Sequence, residues 1–331
     1  MSRLEVVTFG EAMAMFVADE PVPLERADRY TRAVAGAELN VAVGLARLGH
    51  RVGWVSRLGD DPLDRYLLDS VRGAGVDAAR VVVDRRHPTG FQLKGRVEGG
   101  DPEVVYFRRG SAASHLQVSA TDDAYLGQAR HLHLTGIPPA LSAACRRFSY
   151  HAVEQARAAG MTASFDPNLR PSLWPDPREM RRVVNDLAGR CDWVLPGVAE
   201  GRALTGSADP RRIARFYLDR GVGLVAVKLG ARGSQVFTGD DEHTQPGFPV
   251  RVVDTVGAGD GYAVGLISGM LDGLAPAARV ERANAIGAMA VTSRGDQDGL
   301  PTRQALDAFL ARHRESPTAP AEEAWLAAEA G

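Results

Sequence analysis

Short β-rich runs alternate with amphipathic helical stretches along most of this chain, and few folds accept that order. "LEVVTF", "RVGWVSRL", "HLHLTG", "TASFD", "DWVLP" and "LVAVKLG" read as strands. "ELNVAVGLARLG", "DPLDRYLLDSVRGAG" and "SYHAVEQARAAG" carry apolar residues at helical spacing. The alternation predicts an α/β fold, a mostly parallel sheet with helices on both faces. Two regions break it. Residues 12–35 and 88–112, with "MAMFVADE" and "TGFQLKGRVEGGDPEVVYFRRG", read as strands and turns without an intervening helix. They are expected to form a small antiparallel sheet that projects over a site as a lid. With 331 residues, 45% of them hydrophobic, and no repeat at 20–50 residues, one large core domain plus that lid is expected. The tail after about Arg314 is rich in Ala, Glu and Pro and is expected to be partly disordered.

Charge and composition narrow the partners. The formal net charge is -2, so no basic field attracts nucleic acid or membrane lipid. No stretch approaches the ~18–20 uncharged apolar residues of a membrane span. The N-terminus "MSRLEVVTFGEAM" lacks the apolar core of a signal peptide, which points to the cytoplasm. Cys145 and Cys191 form no C-x-x-C pair, so neither a disulfide framework nor a thiolate zinc site is expected. Small molecules remain as partners. Of 39 basic residues only Lys94 and Lys228 are lysines, so arginine number carries no functional message.

The segment "DTVGAGDGYAVG" sets Gly257, Ala258 and Gly259 directly before Asp260 and an apolar helix. Asp260 is either a first-turn residue favoured by the helix dipole or a catalytic carboxylate. Two glycines let the backbone approach a ligand, and the free N–H groups of a helix start bind anions. A carboxylate beside such a site suits a phosphoryl group in transit, with Asp260 taking the proton of the attacking hydroxyl. Three other signals fail. "GVGLVA" at Gly221 follows a helix and enters a strand, the reverse of a dinucleotide fingerprint. "VAVK" has no H-R-D or D-F-G downstream, and neither lysine follows a glycine as a P-loop requires.

"KLGARGSQVF" puts Lys228, Gly230 and Gly233 at the carboxyl end of a strand, where open α/β sheets bind ligands. "AVAGAELNVAVGLARLG" has Gly36 at a strand-to-helix junction and Asn40 in the first turn. "YFRRG" and "DPNLR" bring Tyr106, Arg108, Asn168 and Arg170 from two distant segments, one on the lid and one past a strand end. His131 and His133 alternate on a strand without a third ligand and read as packed histidines.

Together "DTVGAGDGYAVG" and "AGAELNVAVGLARLG" resemble the two signatures of the ribokinase-like (PfkB) sugar kinases, and the likeness runs from about Val6 to Ala311. "VYFRRGSAAS", "HLHLTGIPPALS", "SFDPNLRPSLW" and "SRGDQDGLP" resemble the 2-keto-3-deoxygluconate kinases of that family. The resemblance implies a three-layer ribokinase-like kinase domain over 1–314, with lid segments 12–35 and 88–112 and a tail 315–331. It implies transfer from ATP to the C6 hydroxyl of the sugar acid, with a neutral-sugar kinase of fructokinase or ribokinase type as the alternative. Asp260 would be the general base and the Gly257–Asp260 backbone the anion hole. Gly36, Asn40, Tyr106, Arg108 and Arg170 would hold the sugar acid. Asn168, Lys228, Gly230, Gly233, the Gly257, Ala258 and Gly259 loop, and Asn284 would contact ATP. Glu200 would organise Mg2+ through water, and a monovalent cation such as K+ and a homo-oligomer are further expectations. The sequence departs from the pattern twice. "GVAE" keeps Glu200 but has Gly197 for the usual asparagine, and Gln92 stands where relatives often carry a tyrosine.

Overall fold

Every β-rich run named above is a strand in the computed structural model, which describes residues 3–97, 102–239 and 241–315. In chain order the strands are β1 (Val6–Phe9), β2 (Met13–Ala18), β3 (Tyr30–Ala35), β4 (Val52–Gly59), β5 (Asp77–Asp84), β6 (Phe91–Lys94) and β7 (Val104–Phe107). They continue as β8 (His131–Thr135), β9 (Thr162–Asp166), β10 (Trp193–Val194), β11 (Leu224–Lys228), β12 (Ser234–Thr238) and β13 (Asp241–Gln245).

Nine of them form one sheet in the order β13-β12-β11-β10-β9-β8-β1-β4-β5. From β11 to β5 all neighbours are parallel, while β12 and β13 close the edge antiparallel. Both faces are buried, which explains strands that are apolar at successive positions. Val6 enters one core cluster with Trp54, Leu39 and Ile267, and Val7 enters the other with Phe148, Phe165 and Leu187. Along β11, Val225 and Val227 face the second cluster and Ala226 the first, the two-residue period of a pleated strand. From β1 the chain builds to one side through β4 and β5, then returns to build the other side from β8 onward. The resulting switch in direction lies between β1 and β8, where such sheets open a crevice at their carboxyl ends.

The two interrupting segments form a second sheet, β3-β2-β6-β7. It is not wholly antiparallel as the sequence suggested. The hairpins β2–β3 and β6–β7 are antiparallel, but β2 and β6 join in parallel, Ala14 opposite Phe91 and Val17 opposite Lys94. Each segment supplies a local hairpin, and the direction of the seam between them is a tertiary choice. Residues 98–101 of the second segment and 316–331 of the tail lie outside the described residues.

The helix Ala258–Leu271 is buried continuously from Asp260 to Gly269, as a helix apolar all round must be. Glycines admit its neighbours. A Cβ on Gly44 of the helix Ala37–Arg47 would stand 2.6 Å from Val264, and one on Gly265 would stand 2.5 Å from the Ala283 Cα. The first contact sets the helix Ala37–Arg47 against the helix Ala258–Leu271, and the second packs the latter against the helix Pro276–Ala290. His131 and His133 are buried on β8 and bond the Ser164 hydroxyl at 2.8 Å each, with Thr162 at 2.7 Å from His131. Burial lowers both to about 3, so they are neutral packed histidines. Among the described residues no helix is long and apolar enough to cross a membrane.

Candidate active site

The site is built where four parallel strands end. β1 runs into Gly10 and Glu11, β8 ends on Thr135, β9 on Asp166 and β11 on Lys228. Two helix starts face them. Gly36 caps the helix Ala37–Arg47 at φ +148°, where a Cβ would lie 2.6 Å from the Glu11 carbonyl oxygen. Gly257 caps the helix Ala258–Leu271 at φ +86°, where a Cβ would lie 2.9 Å from the Asp296 carbonyl oxygen. Glycine is required at both corners by backbone conformation and by close approach.

Asp260 is the third residue of its helix, and among the described residues its side chain accepts from no backbone amide. Its Oδ2 instead accepts a 2.8 Å bond from Asn40 Nδ2, and Asn40 Oδ1 accepts one of 3.0 Å from Gln297 Nε2. Arg47 fixes that last segment by donating to the carbonyls of Gln297 and Leu300. The carboxyl is buried and pushed up to about 8. Burial is the largest cause, opposed by the Asn40 bond and reinforced by Asp166, Asp296 and Glu38. Glu38, whose Oε1 accepts from Thr135 Oγ1 at 2.5 Å, is raised to about 7, again by burial first.

Two cavities meet at this loop, sharing Lys228, Thr255 and Gly259 on their walls. The first, about 400 Å³, is lined by Gly36, Asn40, Tyr106, Arg108, Arg170, Gly257 and Asp260, so every residue expected to touch the sugar acid faces one space. Gln92 lies on the same wall. The second, about 750 Å³, is bounded by Gly230, Gly233, Ala258, Asn284 and the apolar Phe248, Pro249, Val250, Val252 and Val291. Asn284 donates to the Gln245 carbonyl at 3.1 Å and so holds the end of β13 as a wall. Asn168 and Glu200 open into the first cavity. Asn168 has a left-handed φ of +37°, rare outside glycine, in the bend that carries the chain from Asp166 to Arg170.

The sequence reading missed several acids that fix the charges here. Lys228 Nζ is 2.6 Å from Asp166 Oδ2. Burial works against the ammonium, yet Asp166 and Glu200 raise its pKa overall. Glu200 is itself raised by burial, although its oxygens accept from the Gly197 and Leu169 amides at 2.8 and 2.9 Å. Arg108 is not free: its Nε and Nη2 lie 2.7 and 2.5 Å from Oε2 of the buried Glu11. Arg170 has bonds to the Asn168 and Leu169 carbonyls and, among the described residues, no carboxylate at ion-pair distance, although its charge favours the ionised form of Asp296. One signal was available in the sequence. The only two lysines of an arginine-rich chain, Lys94 and Lys228, both sit in ion pairs at this site.

A buried carboxylate at a helix start between two such cavities is an arrangement suited to phosphoryl transfer. The family description "pfkB family carbohydrate kinase" matches residues 3–303, and the chain belongs to that family; it is a sugar kinase. It is 52% identical over 314 residues to the 2-dehydro-3-deoxygluconokinase of Bacillus subtilis (strain 168), covering 94% of this chain and 97% of that one. A crystal structure of a PfkB protein from Polaromonas sp. JS666 is 52% identical, covers 92% of this chain and 99% of its own, and superposes with a TM-score of 0.85. A putative ribokinase II from E. coli, in complex with ATP and Mg2+, is 27% identical with a TM-score of 0.87, covering 94% of this chain and 100% of that one.

The raised carboxyls make stability pH-dependent. Asp260 at about 8 and Glu38 at about 7 lie above their unfolded values, so the native state holds protons that the unfolded chain has released. Their contribution is complete below about pH 4 and is lost as pH rises through 7 and 8. The melting temperature of the unliganded protein is therefore expected to fall between pH 6 and 9, and Asp260→Asn should flatten the decline. Calorimetry showing a flat or rising wild-type curve would contradict this assignment of the buried protons.

Proposed function

We propose that this protein transfers the γ-phosphoryl group of ATP to the C6 hydroxyl of 2-keto-3-deoxygluconate, giving 2-keto-3-deoxy-6-phosphogluconate and ADP. The observation that carries the reading is the junction of the two cavities at the Gly257–Asp260 loop. The larger, more apolar cavity suits adenosine, with Gly230, Gly233 and Asn284 along it. The smaller one suits a sugar acid, with Arg170 at its wall. Asp260 takes the proton of the C6 hydroxyl as that oxygen bonds to the γ-phosphorus, and the β–γ bridging oxygen leaves with ADP. The first amides of the helix Ala258–Leu271, which have no acceptor within the helix, and the Lys228 ammonium meet the charge on the moving group. Asn168, on the wall of the first cavity, would contact the phosphates.

Mg2+ fits the donor set. No group of three or more His, Cys, Asp or Glu able to hold a metal occurs among the described residues. Mg2+ keeps much of its water and binds through one or two carboxylates plus substrate phosphates. Through water, Glu200 would hold that hydrated ion, which when bound neutralises the phosphate oxygens. A monovalent cation fits less well, because Asp254 and Asp296 beside the loop are already paired with Lys94.

The second sheet acts as a lid that excludes water, within one kinase domain spanning 1–314. Its edge strand β7 exposes Val105, Tyr106 and Phe107, which suits a homo-oligomer pairing through this face in the cytoplasm. Hydrogen exchange should slow in 12–35 and 88–112 when sugar acid and a nonhydrolysable ATP analogue are both added, with β7 protected further as protein concentration rises. Protection confined to other segments would remove the lid.

Asp260→Asn should keep ATP affinity and fold while lowering kcat by roughly 10²–10⁴, the usual worth of a positioned base. A near wild-type kcat would return Asp260 to a structural role.

The two arginines should separate. Arg170→Ala removes a charge-assisted bond worth about 1.5–3 kcal/mol, so kcat/KM for the sugar acid should fall about 10- to 150-fold with little change in Tm. Arg108→Ala leaves Glu11 buried and unpaired, a loss of about 3–5 kcal/mol, and should lower Tm as well. Fructose, which has no carboxylate, should lose far less with Arg170→Ala. Equal losses on both sugars, or a wild-type preference for fructose, would favour a neutral-sugar kinase.

A further inference from the structure

Lys94 ends β6 on the second sheet, 2% exposed, far in sequence from the loop it touches. Its Nζ lies 2.5 Å from Asp254 Oδ2 and 3.3 Å from Asp296 Oδ1. These two acids bracket the anion-binding loop. Asp254 Oδ1 accepts the Val256 amide at 3.0 Å and so shapes the turn into Gly257. The Asp296 backbone supports the other side, its carbonyl oxygen lying 2.9 Å from where a Gly257 Cβ would stand. Both acids are buried, and two carboxylates this close to a phosphate-binding loop need a cation between them. An ammonium is compact, carries three donors and can serve both carboxylates at once, which a planar guanidinium does less well.

We infer that Lys94 is a built-in cation: a positioning residue, carried by the lid, that orders the Gly257–Asp260 loop and removes the need for a monovalent metal ion. The structure thus departs from the cation expected of the resemblance. Seating β6 delivers the charge, so the anion hole is complete only when the lid strand is in place. The inference rests on the kinase reading of this loop.

The test begins with the wild-type enzyme. Its rate with MgATP and the sugar acid, at constant ionic strength, should be the same in KCl, NaCl and tetramethylammonium chloride. Lys94→Ala should lower kcat by at least about 30-fold with a smaller change in the KM for ATP. KCl or NH4Cl should restore at least about tenfold of that loss, whereas tetramethylammonium should not. Lys94→Arg should retain more activity than Lys94→Ala in the absence of K+. An independent arm needs no turnover: amide exchange over residues 254–260 should speed up in Lys94→Ala and slow again when K+ is added. A failed kinase reading would silence the rates but leave this arm intact. Activation of the wild type by K+ overturns the proposal even if Lys94→Ala does not fold. So does a folded Lys94→Ala with wild-type kcat, or one whose loss and loop exchange respond to no cation.

Discussion

The site depends on keeping one carboxylate, Asp260, out of water at the first turn of a buried helix. An ionised carboxylate cannot be buried without partners, and among the described residues Asp260 has a single direct one, the Asn40 amide. The consequence is a group raised to about 8, close to neutral pH as the proposed base role requires. Its surroundings follow from this. Asn40 must be aimed, so Gln297 holds its other end and Arg47 holds the segment bearing Gln297. The helix must start where it does, so Gly257 turns left-handed against the Asp296 carbonyl.

The same economy governs the other charges. Six carboxylates and four basic groups line the first cavity, an imbalance that would be severe if every acid were ionised. Pairing removes most of it: Glu11 with Arg108, Asp166 with Lys228, Asp296 with Lys94. Burial holds Glu38, Glu200 and Asp260 toward their protonated forms. Arg170 is left as the cavity's guanidinium with no carboxylate at ion-pair distance among the described residues, which is why it, and not Arg108, is the proposed anchor for a substrate carboxylate. The paired Arg108 instead ties β1's end to the segment following β7, since Glu11 also accepts the Ser111 hydroxyl.

The sequence by itself determined the sheet and the loop. Apolar runs at period two and helices at period 3.6 are local signals, and they survive into a nine-stranded, mostly parallel sheet because both faces are buried. Gly36, Asn40 and the Gly257–Asp260 motif were legible because glycine before a helix start has few other uses, and Tyr106, Arg108 and Arg170 because two distant segments each carried them. What only the tertiary structure decided is which charge meets which. Lys94 and Asp254 are 160 residues apart and Arg108 and Glu11 are 97 apart, and no local pattern encodes such a pair. The parallel seam between β2 and β6 is of the same kind, since each hairpin is complete without it. Burial did the rest: a pKa near 8 for Asp260 is a property of the volume around it, which exists only after the helices have packed.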